Sequence, residues 1–178
     1  MPLTPAQLPT FKTDILANTN TIPAGMANAG AFVGQQIKDI PNNGDGNLCV
    51  ATWYNLLASP DFYNWYFTRS RMDNRRAILT TAGAGNQLDA LTGSKRDSLL
   101  WCLDDTLQPT LSSVRTTVDD LCGSQNVLKA AILDSFKRKA TNAEKLFATG
   151  TGSFAVPATG AFEMSVTASD VNSALNLP

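Results

Sequence analysis

The sequence contains no histidine among its 178 residues. Histidine titrates near neutral pH, supplies the base in serine and cysteine hydrolase sites, and is a common zinc ligand. Its absence excludes the most frequent designs of hydrolase and metal site. Carboxylate chemistry remains open, with Asp104-Asp105 and Asp119-Asp120 as the only adjacent acidic pairs. Adjacent residues on a helix point in different directions, so we interpret both pairs as solvated surface and expect no enzyme.

Charged residues are scarce, at 16% of the chain, compared with about 25% in average proteins. A surface of low charge is typical of a protein that neighbouring subunits cover, although a neutral soluble domain has the same composition. The net charge of −1 provides no overall basic surface for nucleic acid. Any contact with DNA would therefore depend on a local group of basic residues.

Long apolar runs are also missing, since no segment reaches the roughly 18 residues that a membrane span requires. The segment from Met1 to Pro5 has neither the basic nor the apolar region of a secretion signal, so we expect synthesis in the cytosol and no membrane partner. The cysteines Cys49, Cys102 and Cys122 are widely spaced and odd in number. We expect free thiols in a reducing compartment, with no metal and no cofactor.

The chain does contain repeated helix-start signals followed by apolar residues at helical spacing. Residues 4–7, 141–144 and 167–170 each fit a capping box, in which Ser or Thr is followed three residues later by an acidic or amide side chain. We predict a mainly α fold, a bundle of about five to seven helices. The predicted helices include 22–40, 48–58 and a segment that starts at 59–61 and carries an aromatic cluster.

Basic residues concentrate in two places. We interpret the first group as a solvated or subunit-contact segment, and a DNA-facing or phosphate-contacting patch is the alternative. We interpret the second group as basic residues that complement the dipole at the end of a predicted helix. The two groups are Arg69, Arg71, Arg75 and Arg76, and Lys137, Arg138 and Lys139.

The composition changes after residue 148, where glycine and threonine become frequent. Residues 162–166 alternate between apolar and polar, as a half-buried strand does, and a lone strand needs a partner in this chain or in a neighbouring subunit. We therefore predict a helical domain at 1–148 and a C-terminal extension at 149–178 that consists of a linker, one short strand and a short helix. The residues expected to contact another subunit are Phe154, Val156, Phe162, Met164, Val166, Val171 and Leu175.

Four segments resemble a family of small proteins from the morphogenesis genes of tailed bacteriophages, namely 4–8, 41–46, 58–65 and 137–152. The last match is the most specific and extends through 156–158 to 162–163 and 170–171, whereas 22–40 departs from the family. The resemblance implies a structural virion protein, synthesised in the host cytoplasm and located at the head-tail junction. It looks like a head-to-tail connector, an adaptor that docks the portal to the tail.

As a connector, the chain would form a homo-oligomeric ring of about twelve copies by heterologous contacts. The resemblance implies the portal and the tail or nozzle proteins as partners. The basic residues would face DNA phosphate or acidic partner surfaces, and the C-terminal extension would lie on the adjacent subunit or on the portal. A capsid cement protein, or another neck or tail component, is the alternative.

Overall fold

The computed structural model describes residues 3–160 and 163–178. Nine α-helices and two strands lie within these ranges, and the prediction of a mainly helical fold is confirmed. In chain order they are α1 Leu8–Ala17, α2 Gly44–Tyr54, β1 Tyr63–Trp65, α3 Arg71–Thr80, α4 Ala84–Asp89, α5 Gly93–Leu103, α6 Ser112–Cys122, α7 Asn126–Ser135, β2 Lys137–Lys139, α8 Asn142–Phe147 and α9 Ala168–Leu175.

The chain forms two compact units, each built from segments that are distant in sequence. Unit 1 comprises Met1–Phe62, Ala140–Phe147 and Phe162–Pro178, and unit 2 comprises Tyr63–Lys139 and Ala148–Ala161. This division differs from the predicted one, with its single boundary after residue 148. The segment 149–178 is shared between the two units, because its first half pairs with β1 and its second half enters the core of unit 1.

Unit 1 is organised around α2, which packs against α8 and α9. Its Tyr54 also contacts Phe11 and Asp14 of α1. Asn43 caps α2 by accepting a hydrogen bond from the Gly46 backbone N–H at 2.8 Å. Gly46 is required there, since a Cβ at this position would lie 2.0 Å from the Pro41 carbonyl oxygen. The core that α2 covers consists of fully buried side chains, among them Phe11, Ile22, Ile37, Val50, Tyr54 and Val171.

The predicted helix at 22–40 is wrong. The segment holds only two short 3-10 turns, Gly30–Phe32 and Ile37–Asp39. Three of its glycines adopt positive φ angles, which are incompatible with one continuous α-helix. The chain instead folds back so that the Ile22 N–H donates to the Gln35 carbonyl. Those glycines are Gly25, Gly30 and Gly34.

The predicted strand at 162–166 is also wrong over its described part, residues 163–166, which have no strand structure. Side chains replace the backbone partner that a strand would need. The Asn55 amide donates to the Val166 carbonyl at 2.7 Å and accepts from the Val166 N–H at 2.8 Å. The Met164 N–H donates to a Glu144 carboxylate oxygen at 3.0 Å. Three backbone groups of this segment are therefore satisfied by side chains of unit 1.

Unit 2 contains α3 to α7 and the antiparallel pair β1–β2, in which Asn64 lies opposite Arg138. Helix was predicted for β1, and Lys137–Lys139 was predicted to end a helix; both predictions are wrong. Aromatic side chains favour extended backbone, and Tyr63 and Trp65 flank the buried Asn64. Ala158 adds to the other edge of β1, through bonds with the Tyr63 carbonyl and the Trp65 N–H. The helices cover Leu99, Leu103, Val118, Leu128, Ile132 and Phe136.

Replacing Asn55 by alanine tests how unit 1 holds its C-terminal segment. We expect Asn55→Ala to lower the free energy of unfolding by about 1–3 kcal/mol, because it leaves the backbone N–H and carbonyl of the buried Val166 without partners. Urea denaturation followed by circular dichroism measures the change.

The matched control is Asn42→Ala, which removes an exposed hydrogen bond to Asn176. Its effect should stay within about 0.5 kcal/mol. Equal effects of the two variants would contradict the role assigned to Asn55.

Candidate docking surface

The exposed face of α3 carries apolar and cationic side chains together. Ser70 caps the helix, accepting from the Asp73 N–H and donating to its carboxylate at 2.6 Å. Met72 is 77% exposed and Leu79 is 86% exposed. With Arg75 and Arg76 they occupy positions i, i+3, i+4 and i+7, which form one stripe along a helix. Side chains this exposed bury little apolar area when unit 2 folds, so they contribute little to its stability.

A second exposed apolar residue, Trp101, lies on α5 and is 82% exposed. Asp104, which ends α5, joins the two helices, because it is ion-paired with both Arg71 and Arg75 of α3. Arg75 and Leu79 also share a shallow depression with Leu100. The exposed faces of α3 and α5 are thus adjacent. We name them the α3–α5 surface, made of Arg71, Met72, Arg75, Arg76, Leu79 and Trp101.

The arginines predicted as a DNA or partner patch differ in their charge pairing. Arg69 pairs with Asp73 at 3.4 Å and stacks on Tyr66. Arg71 and Arg75 share Asp104. Arg76 forms no ion pair within residues 3–160 and 163–178. The Ser70 hydrogen bond, followed by the nearby Arg69 and Arg76, lowers the pKa of Asp73. The positive charge of this group is therefore partly offset, and Arg76 is its most available cation.

The second basic group lies in β2, in a different setting. Lys137 pairs with Asp134 at 2.7 Å and sits 4.3 Å from the ring centroid of Phe154. The Arg138 guanidinium faces the Tyr66 ring at 5.8 Å, and Lys139 is exposed. Lys137 therefore connects the small sheet to the loop that follows Ala148.

The residues predicted to contact a neighbouring subunit divide into buried and exposed sets. The prediction is wrong for Met164, Val166 and Val171, which are buried in the core of unit 1. Leu175 is partly buried against the same core. Phe154 and Val156 are exposed on the loop of unit 2. Phe162 lies outside the described residues.

Unit 1 has a cleft of about 580 Å³ beside α1 and α2. The Tyr54 hydroxyl donates to Asp14 at 2.5 Å and accepts from the Asn18 amide at 3.1 Å, so the Asp14 carboxylate is held in one orientation. Burial, followed by this bond to Asp14, raises the pKa of Tyr54. Trp53 and Leu57 supply apolar lining, and Leu57 is 57% exposed. We name this feature the Asp14 cleft.

Sequence reasoning missed the exposed residues of the α3–α5 surface. Trp101 lies among leucines that the helical period assigns to a core, and only its packing shows that it faces outward. Met72 and Leu79 are seven residues apart on an arginine-rich helix. This spacing could have indicated that the two side chains share one exposed face. The lining of the Asp14 cleft comes from parts of the chain as far apart as Asp14 and Leu146, so no local sequence pattern could have predicted it.

Groups with metal-binding or nucleophilic chemistry are not assembled in the described part of the chain. No set of three or more Cys, Asp or Glu side chains there is placed to hold a metal ion. The described helices include none with the length and apolar character to cross a membrane. Asp119 pairs with Lys129 at 2.7 Å, and Asp104 is committed to two arginines. One aspartate of each acidic pair therefore takes part in an ion pair.

The cysteine thiols give a pH-dependent prediction. Burial raises the pKa of the Cys122 thiol from its ordinary value of 9.0 to about 11, so its protonated form stabilises the fold at neutral pH. This contribution should be lost as the pH rises from 9.0 through about 11. Urea denaturation across that range should show a shallower fall in stability for Cys122→Ala than for the wild type. Equal slopes would show that the Cys122 thiol has the same pKa in the folded and unfolded states, against the role assigned to burial.

Comparisons with family models, with curated proteins and with solved structures find no match to the chain.

Proposed function

We propose that the protein is a structural subunit of a tailed-bacteriophage particle and acts at the head-tail junction as a connector between portal and tail. The observation that carries the assembly role is the α3–α5 surface, with three large apolar side chains exposed beside arginines. The phage assignment comes from the resemblance of the four sequence segments described above.

The chemistry of the α3–α5 surface favours contact with protein. Trp, Met and Arg are enriched in protein interfaces, and Trp and Arg recur among the residues whose truncation costs the most binding energy. Covering Met72, Leu79 and Trp101 removes apolar area from water, which is favourable by about 25 cal/mol per Å². The Arg71 and Arg75 side chains are held by Asp104, so they lose less conformational freedom on binding.

The same surface is less suited to nucleic acid. A phosphate contact gains from releasing counterions around unpaired cations, and here two arginines already share a carboxylate. Any contact with packaged DNA would depend mainly on Arg76 and on the basic residues of β2.

A density map of the intact particle tests the location. We expect a cyclic ring between portal and tail with about twelve copies, the number that the resemblance to connectors implies. Hundreds of copies on the capsid surface would instead support a cement protein, and density elsewhere in the neck or tail would support another structural component. The absence of the chain from purified particles would overturn the proposal.

A surface variant tests the docking role. The triple substitution Met72→Ser, Leu79→Ser and Trp101→Ser changes only exposed side chains, so the melting temperature should be nearly unchanged. Its incorporation into particles should fall to background, measured by quantitative mass spectrometry of purified virions.

The matched control is Leu48→Ser, which alters an exposed leucine of unit 1 that lines neither the α3–α5 surface nor the Asp14 cleft. It should incorporate like the wild type. Normal incorporation of the triple variant would remove the α3–α5 surface from the assembly mechanism.

A further inference from the structure

The two units carry opposite net charges that the overall value of −1 conceals. Unit 1 has three lysines or arginines and seven aspartates or glutamates, a net charge of −4. Unit 2 has eleven lysines or arginines and eight aspartates, a net charge of +3. A chain with one acidic and one basic unit can attract a second copy of itself, because the basic unit of one copy complements the acidic unit of the other.

The Asp14 cleft is the feature of unit 1 that an incoming cation fits. Asp14 forms no ion pair among the described residues, and it accepts only the Tyr54 hydroxyl. Tyr54 and Asn18 are both buried, so the carboxylate is pre-oriented at the cleft. Lys145 is the one cation of the lining, and its ammonium faces the Phe62 ring at 5.9 Å. Asp14 therefore has no salt-bridge partner among the described residues.

We infer that the α3–α5 surface of one copy docks on the Asp14 cleft of a second copy, with Arg76 against Asp14. This inference rests on the proposed function, since it names a second copy as a partner of that surface. Arg76 is the arginine of the surface without an ion pair in the described chain. Met72 and Leu79 lie one helical turn on either side of Arg76. In the docked pair they pack against the exposed Leu57 and against Trp53 of the cleft.

The contact is heterologous, because the two surfaces that meet are different parts of the chain. Each copy keeps one free surface of each kind after pairing, so the contact repeats into a ring or a filament. A two-fold contact between two α3 helices fits less well, since it places Arg75 and Arg76 near their own symmetry mates. The size of the cleft, about 580 Å³, suits the entry of a few side chains rather than a whole helix.

Charge reversal with mixing tests the pairing on the full chain. Sedimentation velocity over a concentration series should show self-association that weakens as salt is raised. Arg76→Glu and Asp14→Lys should each weaken association by about tenfold or more. An equimolar mixture of the two variants should associate again, because the intact cleft of one variant receives the intact surface of the other, and the two reversed residues also attract.

Two further variants control for folding and for general charge. Asp14→Asn keeps an acceptor for the Tyr54 hydroxyl, so it should weaken association while the melting temperature stays near that of the wild type. Arg96→Glu makes the same charge change on α5 outside the α3–α5 surface and should associate like the wild type. Failure of the mixture to associate, or an equal effect of Arg96→Glu, would overturn the inference.

A wild-type chain that stays monomeric at every soluble concentration would also overturn it. If the Met72, Leu79 and Trp101 variant were nevertheless lost from particles, the proposed function would stand with a different virion protein as the partner. If association followed the charges but the chain were absent from particles, the self-contact would stand and the proposed function would fail.

Discussion

The fold of unit 1 depends on polar side chains that take the place of a neighbouring strand. Asn55 holds both backbone groups of Val166, and Glu144 holds the Met164 N–H. The segment has an alternating apolar pattern and enters the core without a partner strand. Without these side-chain bonds, its burial would leave backbone N–H and carbonyl groups unsatisfied. Ala158 completes β1 in unit 2 by ordinary backbone bonds. The C-terminal segment is thus largely used within its own chain. Among the described residues, the three most exposed large apolar side chains lie on α3 and α5.

Local chemistry was sufficient to predict most helices and insufficient where tertiary contacts decide. The capping box at Thr167–Asp170 forms as predicted, and Thr141 and Glu144 bond each other's backbone N–H groups ahead of α8. The helix prediction for 22–40 was wrong because glycines in that segment adopt positive φ angles, which the spacing of apolar residues does not reveal. The strands β1 and β2 were not predicted, because each is three residues long and is stabilised by a partner strand more than seventy residues away.

Of the α3–α5 surface, only the arginines could be predicted from the sequence. The density of arginines between 69 and 76 marks α3, but the carboxylate of Asp104 that pairs with two of them comes from another helix. Trp101 could not be separated from the buried Leu99 and Leu103 by spacing alone. The opposite charges of the two units were hidden for a different reason, since neither unit is a continuous stretch of sequence.

The interleaving of the two units makes the folding of unit 1 depend on contacts between distant parts of the chain. Its first segment, Met1–Phe62, must meet Phe162–Pro178, which supplies Val171 and Ala174 to its core. Bringing these segments together costs loop-closure entropy before any contact compensates for it. We therefore expect unit 1 to fold more slowly than a helical bundle whose contacts are local in sequence.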